Sequence, residues 1–133
     1  MPGINGCWKL QTMQGIDAQG NMMLPWGENI DGLLIYDPSG WMSLQIVKLY
    51  PQPDDTETFH SYFGRFEVDY NQKIITHTIQ SGSKKEWINS IQTRCFNIKE
   101  NNLELKSPPI ELANNLLFEI ITTWSKINDQ KNK

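Results

Sequence analysis

The sequence predicts an all-β protein with a single domain, folded as an eight-stranded up-and-down antiparallel β-barrel. Three observations predict it: eight runs of β-forming residues, connectors that are mostly short and rich in Gly, Pro, Asn or Asp, and almost no helical periodicity. Eight sequential antiparallel strands leave two unpaired edges unless the sheet closes, so a barrel is favoured. A β-sandwich is the alternative, but it needs longer cross-connections than these connectors supply.

The predicted strands recur along most of the chain. In order they are residues 8–13, 33–36, 41–49, 62–68, 74–80, 91–98, 103–106 and 116–124. Between the second and third strands, Asp37-Pro38-Ser39-Gly40 has the residue types of a type I turn, which predicts a hairpin. One helical turn is predicted within residues 84–90, and Pro108-Pro109 excludes a helix near the end of the chain.

Length and charge set the domain organisation and exclude several classes of partner. The 133 residues fit one domain over residues 1–126, followed by a polar tail, residues 127–133, that is predicted to be disordered. The net charge is −3 and the basic residues are scattered, so no nucleic-acid partner is expected. The N-terminal residues lack a signal-peptide pattern, and no apolar run approaches the roughly 20 residues of a membrane span. A cytoplasmic protein with no membrane partner is expected, with Cys7 and Cys95 as free thiols.

The alternation of apolar and polar residues assigns a face to each strand side chain. The residues predicted to point into the barrel are Trp8, Leu10, Met42, Leu44, Ile46, Tyr62, Phe66, Val68, Ile75, His77 and Ile79. In residues 91–98 two sets compete, and the set with Phe96 and Ile98 is preferred because these are its largest apolar members. That choice turns Arg94 inward, and a buried guanidinium needs a partner, for which a tyrosine hydroxyl or Glu28 is suitable.

Several motifs resemble a known family. The quoted segments are Gly6-Cys7-Trp8, Pro25-Trp26-Gly27-Glu28-Asn29, Gly32, Leu34-Ile35-Tyr36, Gly40, Met42-Ser43, Gln45, Tyr62-Phe63-Gly64-Arg65-Phe66-Glu67-Val68, Thr76-His77, Arg94-Cys95-Phe96 and Leu105-Lys106-Ser107-Pro108-Pro109. Together they resemble the small lipocalin-like domain proteins of bacteria and fungi, from about Gly6 to Trp124. The resemblance implies a calycin-type β-barrel. For members that lie in natural-product biosynthesis gene sets it implies ligand-carrying or cyclase-like roles.

Residues Trp26, Gly27 and Glu28 form a loop before the hairpin and are the first candidate site. In the functional interpretation the loop is a lid over one mouth of the barrel, and Glu28 makes a polar contact to the ligand. In the structural interpretation Trp26 plugs the barrel end, Gly27 supplies an unusual backbone angle and Glu28 caps backbone donors. Both interpretations place the loop at one end of the barrel.

His77 and Arg94 are the second candidate site. An imidazole in an apolar cavity can move a proton, and a guanidinium can hold a carboxylate or stabilise an enolate. The structural alternative is a core histidine bonded to a tyrosine or to the backbone, with Arg94 stacked on Trp8 as an arginine is in lipocalins. No zinc-type ligand spacing and no cofactor motif occurs, so neither a metal nor a cofactor is expected.

Two functions and a third possibility follow from these sites. The first is binding of a small, mostly hydrophobic molecule inside the barrel, and the predicted ligand-binding residues are Trp26, Tyr36, Met42, Leu44, Tyr62, Phe66, Ile75, His77, Arg94 and Phe96. The second is a cofactor-free isomerase or cyclase of a hydrophobic metabolite, with His77, Arg94 and Glu28 as catalytic residues. The third is a barrel filled by side chains that acts as an interaction module. The sequence leaves the oligomeric state open.

Overall fold

The computed structural model describes residues 3–112 and 116–128, and in these residues the protein is an all-β barrel. Its strands are β1 (Gly6–Asp17), β2 (Met22–Met23), β3 (Ile30–Tyr36), β4 (Trp41–Lys48), β5 (Phe59–Asp69), β6 (Ile74–Gly82), β7 (Ile91–Lys99), β8 (Asn102–Lys106), β9 (Ile110–Glu111) and β10 (Leu117–Lys126). A short 3-10 turn, Lys85–Trp87, lies in the segment where a helical turn is predicted. Within the described ranges no helix has the length and apolar character needed to cross a membrane.

Eight long antiparallel strands close the sheet. Sequential neighbours pair from β3 to β8, β8 pairs with β10, and β10 returns to β1, where Leu10 lies opposite Trp124. β2 and β9 are two-residue additions on β1 and β10. The predicted eight-stranded barrel is therefore confirmed, because β1–β10 pairing removes the free edges that an open sheet would leave.

The two ends of the barrel differ in the length of their connections. At one end, here the closed end, β3–β4, β5–β6 and β7–β8 are joined by residues 37–40, 70–73 and 100–101. The first of these is the predicted turn, in which the Gly40 N–H donates to the Asp37 carbonyl at 2.9 Å and Gly40 has φ +95°. At the open end the strands are joined by longer segments, which include residues 24–29, 49–58 and 83–90.

The closed half of the barrel is packed with side chains. Trp8, Leu34, Tyr36 and Trp124 are each at most 1% exposed. Ile4 lies across the closed end, because its N–H donates to the Tyr70 hydroxyl at 3.1 Å while its carbonyl accepts from the Trp8 indole at 2.9 Å. Within the described residues, these side chains fill the closed end of the barrel.

The predicted faces of the strands agree with the structure. Trp8 and Leu10 on β1, the even-numbered residues 42–46 on β4, and the odd-numbered residues 75–79 on β6 are buried, while Cys7 and Cys95 are exposed free thiols. On β7 the preferred set, with Phe96, faces inward, and Arg94 is half-buried with it. Residues 129–133 of the predicted tail, and residues 113–115, lie outside the described ranges.

Two predicted contacts of Arg94 are wrong. Its guanidinium does not stack on Trp8, since the cation over that indole is the Lys126 ammonium, 5.5 Å from the ring centroid. It also bonds neither a tyrosine hydroxyl nor Glu28: it donates to the Thr93 carbonyl and to the Gln92 side-chain oxygen. The cause is local, because Gln92 is the next inward residue of the same strand and lies within reach.

Candidate functional site

A cavity of about 740 Å³ occupies the open half of the barrel. Leu44 and Ile46 on β4 and Leu105 on β8 line its apolar wall, and His77 and Tyr62 lie where the cavity meets the packed half. The long connections of the open end contribute lining residues to it, among them Trp26, Glu57 and Trp87. One half of the barrel is therefore filled, and the other half can hold a ligand.

Two polar side chains, from β6 and β5, form the floor of the cavity, and a third, from β3, supports them from the packed half. His77 is 1% exposed, and its Nε2 lies 2.6 Å from the Tyr36 hydroxyl while its Nδ1 lies 2.7 Å from the Tyr62 hydroxyl. Burial, and then the nearby Arg94 charge, lower the pKa of His77 to about 3. Burial raises the pKa of Tyr62 to about 12 and that of Tyr36 well above its ordinary value. All three groups are therefore neutral at pH 7.

The hydrogen bonds of the neutral His77 assign its proton to one of the two ring nitrogens. Tyr36 is enclosed in the packed half, and His77 Nε2 is the hydrogen-bond partner of its hydroxyl within the described part of the chain. Tyr36 must donate to Nε2, since otherwise its buried proton would have no acceptor. His77 then carries its proton on Nδ1 and donates it to the Tyr62 oxygen. The Tyr62 hydroxyl proton is left free, and Tyr62 lines the cavity.

Arg94 lies beside a gap in the wall of the barrel. The β7–β8 ladder ends at the pair Cys95 and Lys106, and the same register continued by two residues would place Pro108 opposite Thr93. Proline has no N–H to donate, so the ladder cannot continue, and the Arg94 guanidinium satisfies the Thr93 carbonyl instead, at 2.8 Å. The cavity reaches this gap, since Thr93 and Pro108 both line it.

Aromatic rings form the mouth of the cavity. The His60 imidazole lies 4.7 Å from the Trp26 ring and 5.2 Å from the Trp87 ring, and Trp87 lies 5.6 Å from Tyr62. Glu57 accepts from His60 at 3.2 Å and also pairs with Lys84. Burial lowers the pKa of His60, although Glu57 opposes the shift. These rings narrow the entrance with apolar surface.

The structure brings half of the predicted ligand-binding residues to the cavity. Trp26, Leu44, Tyr62, His77 and Arg94 line it. The other predicted residues lie in the packed half or at its margin, away from the lining, namely Tyr36, Met42, Phe66, Ile75 and Phe96. Their predicted inward direction is right, but strand alternation does not report the height of a residue along the barrel. Tyr36 reaches the floor of the cavity only through His77.

The predicted position of Glu28 at the site is wrong. Its side chain is exposed and is not part of the cavity lining, and the hydrogen bond at this residue is from the Ile30 N–H to the Glu28 carbonyl at 3.1 Å. A turn precedes it, in which the Gly27 N–H donates to the Leu24 carbonyl and Gly27 has φ +77°; Trp26 lies at the mouth, and residues 27–29 after it are exposed. The unusual backbone angle expected at Gly27 is present.

Sequence reasoning did not select several residues of the site, of which His60 and Trp87 are the most prominent. His60 is two residues before the inward Tyr62 on β5, so the alternation of this strand predicts that His60 also points inward. Trp87 lies in a loop, where no periodicity assigns a face. Within residues 3–112 and 116–128, no group of three or more His, Cys, Asp or Glu residues is placed to hold a metal ion.

Comparison with known proteins places this barrel in a family. A comparison with curated proteins found no match to the sequence. A family model described as a lipocalin-like domain matches residues 5–127, which covers all eight long strands and every element that lines the cavity. The chain therefore belongs to the lipocalin-like domain family.

Proposed function

We propose that the protein binds a small, mostly hydrophobic molecule in the open half of the barrel. The lipocalin-like barrel supports ligand binding in general. The observation that carries the proposal is the cavity of about 740 Å³, whose wall is mainly apolar. That volume lies within the range of roughly 300–1,000 Å³ in which small-molecule sites fall, and such sites combine an apolar wall with few polar groups.

Binding is favoured over catalysis by the state of His77. A general base needs a free nitrogen and a pKa near the working pH, but both nitrogens of His77 are bonded to tyrosines and its pKa is lowered to about 3. Glu28, the predicted electrostatic partner, lies outside the cavity. The isomerase or cyclase alternative therefore has less support. The empty volume also argues against a filled barrel that acts as an interaction module.

Titration with a neutral fluorescent probe tests the proposal. N-phenyl-1-naphthylamine should bind saturably with one site and quench tryptophan emission, because Trp26 and Trp87 line the cavity. Ile46→Trp should abolish this binding, since Ile46 faces the cavity and an indole would occupy it. Val47→Trp is the matched control, because Val47 is the next residue and points to the outer face.

The outcomes separate cavity binding from adsorption to the surface. Saturable binding that is lost in Ile46→Trp and kept in Val47→Trp supports the proposal. Absence of saturable binding in the unmodified protein contradicts it. Equal binding by all three proteins also contradicts it, because the probe would then occupy a site outside the barrel.

A further inference from the structure

We propose that the ligand carries a carboxylate, which is held by the Arg94 guanidinium in the cavity wall and by the Tyr62 hydroxyl at the cavity floor. This inference rests on the proposed function, and it adds the chemical class of the ligand. Two features carry it: among the described residues Arg94 has no countercharge, and the tautomer assigned to His77 leaves the Tyr62 hydroxyl proton without an acceptor; both residues line the cavity.

Arg94 supplies the charge. Its guanidinium has five N–H groups, and its two hydrogen bonds within the described residues go to a backbone carbonyl and to the Gln92 amide oxygen, which are both neutral. The salt bridges found in residues 3–112 and 116–128 join other residues, and none involves Arg94. A half-buried cation against an apolar wall is costly unless it is paired, so the site favours an anion.

Tyr62 supplies the directional hydrogen bond. In the tautomer assigned above its oxygen accepts the Nδ1–H of His77, and its own proton has no acceptor among the described residues. The bond to His77 positions the Tyr62 oxygen, and the bond from Tyr36 holds the imidazole in turn, so the hydroxyl group is in place before a ligand arrives. A prearranged donor of this kind binds an oxygen acceptor with little loss of conformational entropy.

The charges around the cavity favour one negative charge on the ligand. Among its lining residues the ionised groups are Arg94, Lys84, Glu57 and Glu111. Lys84 is already paired with Glu57 at the mouth, and Glu111 is exposed at the rim. A guanidinium without a countercharge and a hydroxyl both offer donors to the oxygens of a carboxylate, a group that a planar guanidinium binds well. A doubly charged phosphate would need a second cation.

A comparison of two ligands with the same alkyl chain tests the inference. Dodecanoate and its methyl ester should both displace N-phenyl-1-naphthylamine at pH 7.5. Dodecanoate should do so at a concentration at least about 10-fold lower than the ester, as charge-assisted hydrogen bonds predict. Arg94→Gln should remove this preference, measured as the ratio of the displacement constants of the two ligands in the same variant. Lys84→Gln is the matched control, because it removes a lining cation that Glu57 already neutralises, and its preference should remain.

Tyr62→Phe tests the contribution of the hydroxyl, which should be smaller than that of Arg94. It removes the hydroxyl but keeps the ring, so affinity for dodecanoate should fall several-fold more than affinity for the ester. If the acid and the ester displace the probe equally from the unmodified protein, the carboxylate inference is overturned and the proposed function stands. If Arg94→Gln keeps the full preference, the inference is overturned as well. If neither the probe nor either ligand binds, the proposed function itself fails.

Discussion

Acid should destabilise the protein through His77, because this side chain is buried as the neutral form. Its pKa is lowered from the ordinary value of 6.5 to about 3 in the folded chain. Below pH 6.5 the unfolded chain therefore binds a proton that the folded chain does not, and the free energy of unfolding falls as the pH falls. The loss begins near pH 6.5 and is complete near pH 3. Above pH 6.5 this contribution to stability is fully present.

The size of this loss in the free energy of unfolding follows from the difference between the two pKa values of His77. Each pH unit between the two pKa values corresponds to about 1.4 kcal/mol, so lowering the pH from 7 to 4.5 should cost about 2.5 kcal/mol through His77 alone. In His77→Gln this contribution disappears, because the amide does not titrate. Glutamine can still bond the Tyr36 and Tyr62 hydroxyls, so the variant should fold.

Urea unfolding, followed by tryptophan fluorescence at pH 7 and at pH 4.5, measures the effect. The midpoint of the unmodified protein should fall by about 1 M urea more than that of His77→Gln, given an m-value of about 2 kcal/mol per M. Carboxylates with lowered pKa values, such as Asp31 and Asp55, and His60 are present in both proteins, so their contributions cancel in the comparison. Equal pH dependence of the two proteins would refute the assignment of a buried neutral imidazole.

Two further predictions concern the packed half and the mouth of the barrel. Leu34→Ala should lower the free energy of unfolding by about 2–5 kcal/mol, because Leu34 is 0% exposed in the closed half. Leu33→Ala is the control, on the outer face of the same strand, and should lower it by less than about 1 kcal/mol. Similar losses for the two variants in urea unfolding would contradict the assigned faces. Trp26→Ala should increase the dissociation rate of the neutral probe in stopped-flow measurements, because it removes a ring from the mouth. Trp41→Ala, at the closed end, is its control, and equal rates in both variants would contradict a role of Trp26 at the entrance.

The sequence by itself determined the fold class and the direction of most strand side chains. The period-two alternation in β1, β4, β5 and β6 is a local property, because successive side chains of a strand point to opposite faces. The inward choice for Arg94 rested on the size of Phe96, and burial of the larger apolar set decided it in the structure as well. The turn at Asp37-Pro38-Ser39-Gly40 was also local, because residue types with restricted backbone angles specify it.

Only the tertiary structure decided which inward residues meet a cavity. Alternation gives the face of a residue but not its height, so it could not separate Leu44, which lines the cavity, from Met42, which is packed at the closed end. The bonds of His77 to Tyr36 and Tyr62 join three strands, and they depend on the register of each pair, which long-range packing sets. Loops have no periodicity, and for that physical reason the outward position of Glu28 could be learned only from the folded chain.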